Sequence, residues 1–397
     1  MFLRRLARSW AWGLLSLAAQ AQERPHLHTT LQTGVDVWRI GHSATDTVTR
    51  NNMYLADSET RWSYSGLAPW LTLQSRLDMG PHDQVVLRTR ANQSTGGSLD
   101  QLYYDHAISP FLGLRAGVAD YRATWCREYD LDNPWVRESD PFCTNHRIRM
   151  PTSSAPALQA YVNLDTGAYQ LQGIAGIFRP RALGYASREF GTAILPEHVV
   201  ITKNHKQGVS LNLLHKASST EWRLSWTALD QALYDPDAHV GFQEYAPGTR
   251  MNYRQHADTY FGGVSWQVSP RLRARLTHMK TSLKARCELL TPSAAPACAQ
   301  SVGKQATVAE LNHQSGPADV LSVAFLRFPF DQSAVYSKAN ENVSASWRRD
   351  WGEGWFTALQ LSRSRAKVFY NLDFSAMPYL PGTASAWAAG FRLGRQW

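Results

Sequence analysis

Short segments in which apolar and polar residues alternate recur along most of the chain. In one of them Leu71, Leu73 and Leu77 alternate with Gln74 and Arg76. Successive side chains of a β-strand point to opposite faces, so this period of two predicts strands with one apolar and one polar face. The same alternation recurs at 85–92, 158–164, 222–227, 272–277 and 343–348.

Tight turns join these segments in pairs. Turn-forming residues predict seven of them, at 80–83, 109–110, 165–167, 216–220, 269–270, 315–317 and 350–352. Longer polar stretches separate the resulting hairpins, at about 40–66, 94–100, 121–155, 178–207, 231–258, 283–304, 329–341 and 364–382. With one more strand at each end, at about 27–39 and 384–397, the count is about sixteen. An even count with alternating short turns and long loops predicts an all-β fold, a transmembrane antiparallel barrel that forms one domain over 22–397.

The first 21 residues have the pattern of a secretory signal peptide. Arg4, Arg5 and Arg8 precede an apolar stretch at 10–19, and Ala-Gln-Ala at 19–21 matches a cleavage site. A short N-terminal helix is the alternative interpretation. No later segment approaches the 18 apolar residues that a membrane-spanning helix needs. Export without such a helix predicts a periplasmic, released or outer-membrane protein.

Composition agrees with a membrane barrel more than with other classes. The 15 Trp and 16 Tyr residues suit a barrel with two aromatic girdles. A net charge of +9 could indicate nucleic-acid binding, but export and the lack of a basic run argue against that partner. The sequence contains no nucleotide-binding, metalloprotease or serine-hydrolase motif, so we predict no cofactor, no metal and no enzymatic activity.

The four cysteines fall into two short pairs, Cys126 with Cys143 and Cys287 with Cys298. Export places them in an oxidising compartment, where two local disulfides are the simplest interpretation. A zinc site is the alternative.

The C-terminal segment resembles the closing strand of Gram-negative outer-membrane barrels, which the barrel assembly machinery recognises. Phe391 and Leu393 share the parity of the terminal aromatic residue, Trp397. A terminal Trp in place of the usual Phe, and Arg395 at a position that is commonly apolar, depart from that pattern.

Together with the signal peptide and the hairpins, this strand makes the mature chain similar to the sixteen-stranded general and anion-selective porins. The resemblance implies a multi-pass barrel in the outer membrane, in contact with its lipid and lipopolysaccharide. It also implies passage of small hydrophilic or anionic solutes and, as in many of those porins, a homotrimer.

In that family the third extracellular loop folds into the barrel and narrows it. The third polar stretch here, 121–155, is the longest of the set and is the candidate for this constriction. Between its two cysteines lie the charged residues Glu128, Asp130, Asp132, Arg137, Glu138 and Asp140.

Several strands place arginine opposite their apolar face, where a channel would have its water-filled interior. Almost no acidic residue is expected on that face in mid-strand, so the arginines predict a preference for anions. Each arginine could instead be merely solvated or paired with an acidic residue of the inserted loop. The predicted pore-lining residues are Arg76, Arg88, Arg90, Arg115, Arg223, Arg273, Arg275 and Arg348.

The predicted function is passive diffusion of small hydrophilic solutes, with a preference for anions. The alternatives are an outer-membrane enzyme, such as a lipid hydrolase or protease built on a barrel, and an adhesive or structural barrel. An active receptor-transporter needs a plug domain before the barrel, and the first predicted strand leaves no room for one.

Overall fold

The computed structural model describes residues 25–46, 49–50, 53–54, 58–92, 96–125, 154–179, 203–235, 239–240, 243–244, 250–290, 298–328, 330–331, 339–370 and 380–397. The predicted signal peptide, 1–21, lies outside these ranges. Within them, no helix is long and apolar enough to cross a membrane.

Sixteen antiparallel strands form the wall of the molecule. Each pairs with the next along the chain, and the last pairs with the first, so the sheet closes into a barrel. The strands are β1 (His26–Asp46), β2 (Ser58–Asp78), β3 (Asp83–Asn92), β4 (Gly96–Ala107), β5 (Leu112–Asp120), β6 (Ser154–Asp165), β7 (Tyr169–Phe178), β8 (Lys203–Ala217), β9 (Thr220–Asp235), β10 (Arg250–Ser269), β11 (Leu272–Leu290), β12 (Cys298–Gln314), β13 (Asp319–Phe328), β14 (Ala339–Gly352), β15 (Trp355–Tyr370) and β16 (Leu380–Gln396).

A few two-residue strands lie in the longer connections. Phe330–Asp331 extends the pairing of β13 along β12. Thr49–Arg50 pairs with Met53–Tyr54, and His239–Val240 pairs with Gln243–Glu244. The predicted fold class, strand number and tight turns are confirmed, since short connections follow β2, β4, β6, β8, β10, β12 and β14.

Several strands are longer than the 9–11 residues that the sequence pattern predicts. β1 and β2 have 21 residues each, so much of the predicted polar stretch 40–66 is strand. The C-terminal strand likewise begins at Leu380, inside the polar stretch predicted to end at 382. Polar residues continue the ladder because backbone hydrogen bonds hold two strands together whatever their side chains.

The two faces of the wall differ in the way that the alternation predicts. Large hydrophobic residues are exposed on the outward face, with Leu67 at 61% and Leu361 at 67%. Polar residues such as Gln159, Thr227 and Ser322 are buried on the inward face. An apolar outer band around a polar interior is the arrangement that a lipid bilayer requires of a barrel.

Glycines let aromatic rings lie flat against the inner wall. Gly34 pairs directly with Trp70, and Gly394 pairs directly with Phe356. A Cβ added to Gly394 would lie 2.4 Å from the Phe356 Cζ, and one on Gly34 would lie 2.7 Å from the Trp70 Cζ2. Each ring therefore occupies the space of the missing side chain.

Candidate pore-lining site

The strand register places all eight predicted arginines on the inward face of the barrel. Arg88 lies opposite Gln101, and Arg275 lies opposite Glu310, both buried inward positions. Their neighbours along each strand point outward. The set is Arg76, Arg88, Arg90, Arg115, Arg223, Arg273, Arg275 and Arg348. That these residues line an open pore stays a prediction.

Carboxylates hold most of these arginines on the same face. The nitrogen–oxygen distances are 2.6–2.9 Å in six pairs of this set: Arg76–Asp78, Arg90–Asp100, Arg115–Asp105, Arg223–Glu221, Arg275–Glu310 and Arg348–Asp350. Arg392, an inward arginine of β16 outside the predicted set, lies 2.6 Å from Asp36. The expectation that almost no acidic residue shares the inward face in mid-strand is therefore wrong, since Asp36, Asp100 and Glu310 lie well inside their strands. The physical reason is that a guanidinium removed from bulk water needs a counter-charge.

One of these pairs is deeply buried, and a second has a buried carboxylate. The side chains of Arg275 and Glu310 are only 2% and 0% exposed, and their atoms approach to 2.8 Å. Asp105 accepts hydrogen bonds from Arg115 at 2.9 Å and from the Tyr161 hydroxyl at 2.5 Å. These carboxylates fix the direction of the guanidinium groups and cancel much of their charge.

The chain enters the interior of the barrel directly after β5. The Tyr121 ring stacks on Phe178 of β7, with 4.0 Å between ring centroids and 7° between planes. The Ala123 N–H donates to the Asn212 Oδ1 of β8 at 3.0 Å, and the Asn212 amide donates to the Tyr121 carbonyl at 3.2 Å. This run of five residues, which ends at Trp125, is called the inserted segment below.

Trp125 attaches the inserted segment to the wall beyond β8. Its ring lies between two guanidinium groups, 3.8 Å from Arg223 and 4.9 Å from Arg275. Arg223 also donates to the Thr124 carbonyl. A Cβ on Gly263 would lie 2.6 Å from the Trp125 Nε1, so only glycine leaves room for the indole there. Trp125 is 2% exposed and belongs to a buried hydrophobic cluster with Phe261, Ala306, Val308, Ala324 and Leu326, against which Met279 packs.

This geometry carries the inserted segment across several strands of the inner face. The segment follows β5, whereas Trp125 contacts β9, β10 and β11 and shares a buried cluster with residues of β12 and β13. An indole between two cations gains cation–π energy in addition to the burial of its surface.

The rest of the predicted constriction stretch, from residue 126 to the start of β6, lies outside the described residues. That part contains Cys126 and Cys143 and the charged residues Glu128, Asp130, Asp132, Arg137, Glu138 and Asp140. Their roles stay predictions.

The second cysteine pair lies on adjacent strands. Cys287 of β11 and Cys298 of β12 are direct partners in the backbone register. Directly opposed positions in antiparallel strands have the backbone separation that a disulfide needs. The disulfide itself stays a prediction.

Sequence reasoning missed an inward arginine on the last strand. Arg392 donates to both carboxylate oxygens of Asp36 at 2.6 Å and lies 4.7 Å from the Trp70 ring. The parity of Phe391 and Leu393 already implied that the residue between them points inward. Trp125, in contrast, carries no such signal, because no alternation extends into the inserted segment.

The outward Arg395, which departs from the usual closing strand, has aromatic partners. Its guanidinium lies 3.5 Å from the Trp397 ring and 5.2 Å from the Trp355 ring. Aromatic faces at the end of the barrel thus accommodate a cation where apolar residues are common.

Sequence comparison gives no relative, since no protein-family model and no curated protein matches the chain. The barrel, however, is similar to solved outer-membrane structures. The anion-selective porin from Comamonas acidovorans has a TM-score of 0.52 and 10% identity, over 94% of this chain and 100% of that one. The outer-membrane channel DcaP of Acinetobacter baumannii has a TM-score of 0.50 and 8% identity, over 93% and 97%.

The chain has the fold of an outer-membrane porin. At these identities the likeness concerns the fold alone. A porin-like barrel with an apolar outward band belongs in the outer membrane of Gram-negative bacteria. Its short turns then face the periplasm, and the inserted segment starts from the extracellular end of β5.

Proposed function

We propose that this porin-like barrel is a channel for passive diffusion of small hydrophilic solutes, narrowed by the inserted segment. Two features of the same face support the proposal. The inner wall is polar and rich in arginine, and the inserted segment crosses it and is attached to it at Trp125. A closed wall of sixteen strands encloses a wider interior than side chains alone can fill. A segment inside such a barrel sets the size of the solutes that pass.

The preference among charged solutes is for anions but is small. Inward arginines on many strands raise the potential of the interior, and anions are attracted to it. The carboxylates at 2.6–2.9 Å from seven of them lower this potential. Arg273, near the periplasmic end, donates instead to the neutral amide oxygen of Gln267 at 3.3 Å.

Single-channel recording in planar bilayers tests the channel itself. The mature protein, refolded in detergent, should give stable open steps with a reversal potential of the anion-preferring sign in a salt gradient. Heat-modifiable migration on gels confirms beforehand that the barrel has folded. A folded barrel that gives no conductance would contradict the proposal, and activity on lipids or peptides would then favour the enzyme alternative. A silent barrel without such activity would favour an adhesive or structural role.

A charge-reversal pair tests the selectivity. Replacing Arg88→Glu together with Arg90→Glu on β3 should shift the reversal potential toward cations, because both side chains belong to the inward face. The matched control is Arg349→Glu with Arg363→Glu, two arginines on the outward face. Equal shifts in both double variants, or none in the inward one, would refute a role of the inner arginines in selectivity.

A further inference from the structure

The inner face of the barrel contains a polar pocket of about 370 Å³ at its periplasmic end. One row of directly paired inward residues on β1 to β4 crosses it: His26, Asp78, Gln84 and Asp105. Neighbouring strands are about 4.8 Å apart, so this row is about 14 Å wide. A volume at the lower end of the range of ligand sites suits a solute of metabolite size.

The tight turn between β2 and β3 forms the periplasmic edge of the pocket, which residues 80–83 line. The Ala107 N–H of β4 donates to the His82 carbonyl at 2.7 Å. The Asp83 Oδ1 lies 2.7 Å from the His106 Nδ1 of the same strand. The turn is therefore fixed to β4, and the pocket is formed before a solute arrives.

An exposed ion pair belongs to this pocket. Arg76 donates through Nε to the Asp78 Oδ1 at 2.7 Å, and both residues line the pocket. The Arg76 side chain is 57% exposed, the largest value among the arginines of the seven inward ion pairs, and Asp78 is 23% exposed. An exposed ion pair contributes little to stability, so its groups can bind a solute at little cost. The buried pair of Arg275 and Glu310 lacks this access.

The pocket has charges of both signs. Its titratable lining groups are the Arg76 guanidinium, the imidazoles of His26 and His82, the Tyr161 phenol, and the carboxylates of Asp78, Asp83 and Asp105. Arg115 and Tyr161 both donate to Asp105, so that carboxylate already has partners. The Asp78 Oδ2, in contrast, is 3.6 Å from the His28 Nε2, which is beyond hydrogen-bond distance.

This mixture of charges favours a solute that itself has both signs. A solute with only an anionic group would meet three carboxylates, and one with only a cationic group would meet Arg76. A zwitterion has a counter-charge for each of them. In an α-amino acid the carboxylate and the ammonium are attached to one carbon, just as the guanidinium of Arg76 and the carboxylate of Asp78 lie side by side.

We propose that this pocket binds small zwitterionic solutes of the α-amino-acid type. The solute carboxylate binds the terminal nitrogens of Arg76, in the paired geometry that guanidinium and carboxylate groups favour, and the solute ammonium binds Asp78. The inference names a class of solute for the channel and in that respect rests on the proposed function. Binding itself does not depend on conductance.

Saturation-transfer NMR on the full mature protein, refolded in detergent, tests the site with three small probes. They are L-alanine, propionate, which lacks the ammonium, and ethylamine, which lacks the carboxylate. We expect L-alanine to bind about tenfold more tightly than either of the others, because only L-alanine makes both charge-assisted contacts. Arg76→Gln and Asp78→Asn should each weaken L-alanine binding about tenfold. Ala107→Phe, which fills the pocket without a change of charge, should weaken it as well.

The matched control is an ion pair on the outward face at the same end of the barrel. Arg349 and Asp319 are 43% and 23% exposed and approach to 3.9 Å. Arg349→Gln and Asp319→Asn should leave L-alanine binding unchanged, and heat-modifiable migration shows that each variant has folded.

Equal affinities for L-alanine and either of the other probes would overturn the proposal. So would pocket variants that bind L-alanine as tightly as the wild type, or control variants that lose as much affinity as the pocket variants. Conductance is recorded on the same preparations. A folded barrel that binds L-alanine through Arg76 and Asp78 but gives no current would support the site and refute the channel, so the two failures are distinguishable.

Discussion

Replacing Trp125 with alanine removes the main attachment of the inserted segment to the opposite part of the wall. The indole is 2% exposed and lies between Arg223 and Arg275. A tryptophan buries about 200 Å² or slightly more, which at about 25 cal/mol per Å² gives an upper value of about 5 kcal/mol. Truncation of a buried tryptophan to alanine costs about 3–5 kcal/mol, so we take about 4 kcal/mol.

This energy changes how often the segment leaves the wall. About 4 kcal/mol corresponds to a factor of roughly 1,000 in the ratio of attached to detached states. The contacts of Tyr121 and Ala123 remain, so the barrel itself should still fold. We expect single channels of Trp125→Ala to show frequent steps to a higher conductance. Liposomes containing the variant should also admit larger neutral sugars than those containing the wild type.

The control is Trp222→Ala on β9. Trp222 is the sequence neighbour of Arg223, but it lies on the outward face and is 50% exposed. Trp222→Ala should leave the conductance and the size limit for neutral sugars unchanged. If Trp125→Ala folds, as heat-modifiable migration reports, and its current traces match the wild type, then the inserted segment does not set the width of the channel.

Two further predictions concern stability. Gly394→Ala should lower the free energy of unfolding by about 1–3 kcal/mol, and with it the urea midpoint, because its Cβ would lie 2.4 Å from the Phe356 ring. Gly173→Ala, whose Cβ meets nothing within 4 Å, should leave the midpoint unchanged. Equal midpoints for the two variants would contradict the packing argument. Arg275→Met leaves the Glu310 carboxylate buried without its 2.8 Å partner and should cost about 3–5 kcal/mol by the same assay. Adding Glu310→Gln should recover part of that loss, and no recovery would mean that Arg275 acts through packing on Trp125 alone.

Local alternation was sufficient to predict the wall of the barrel. The parity of Leu71, Leu73 and Leu77 placed Gln74 and Arg76 on the inward face, and the structure agrees. This works because side-chain direction in a strand depends only on position along that strand. The same rule would have found Arg392, which lies between two outward residues. Strand ends were less predictable, since backbone ladders continue through polar residues.

Contacts between side chains of different strands could not be predicted in this way. Asp105 with Arg115 and Glu310 with Arg275 are neighbours only because the register aligns their strands. Arg223 and Thr124 are 99 positions apart and meet only because the inserted segment turns inward.

By itself the sequence determined the class of fold, the number of strands and the face on which each arginine lies. These properties follow from a local period of two and from turn chemistry. The tertiary structure alone decided which carboxylate on another strand an arginine binds, as in Arg115 with Asp105 and Arg275 with Glu310, and that Trp125 lies near Arg223 and Arg275. The physical reason is that ion pairs and stacking depend on distances of a few ångströms between strands, which are set only when the barrel closes.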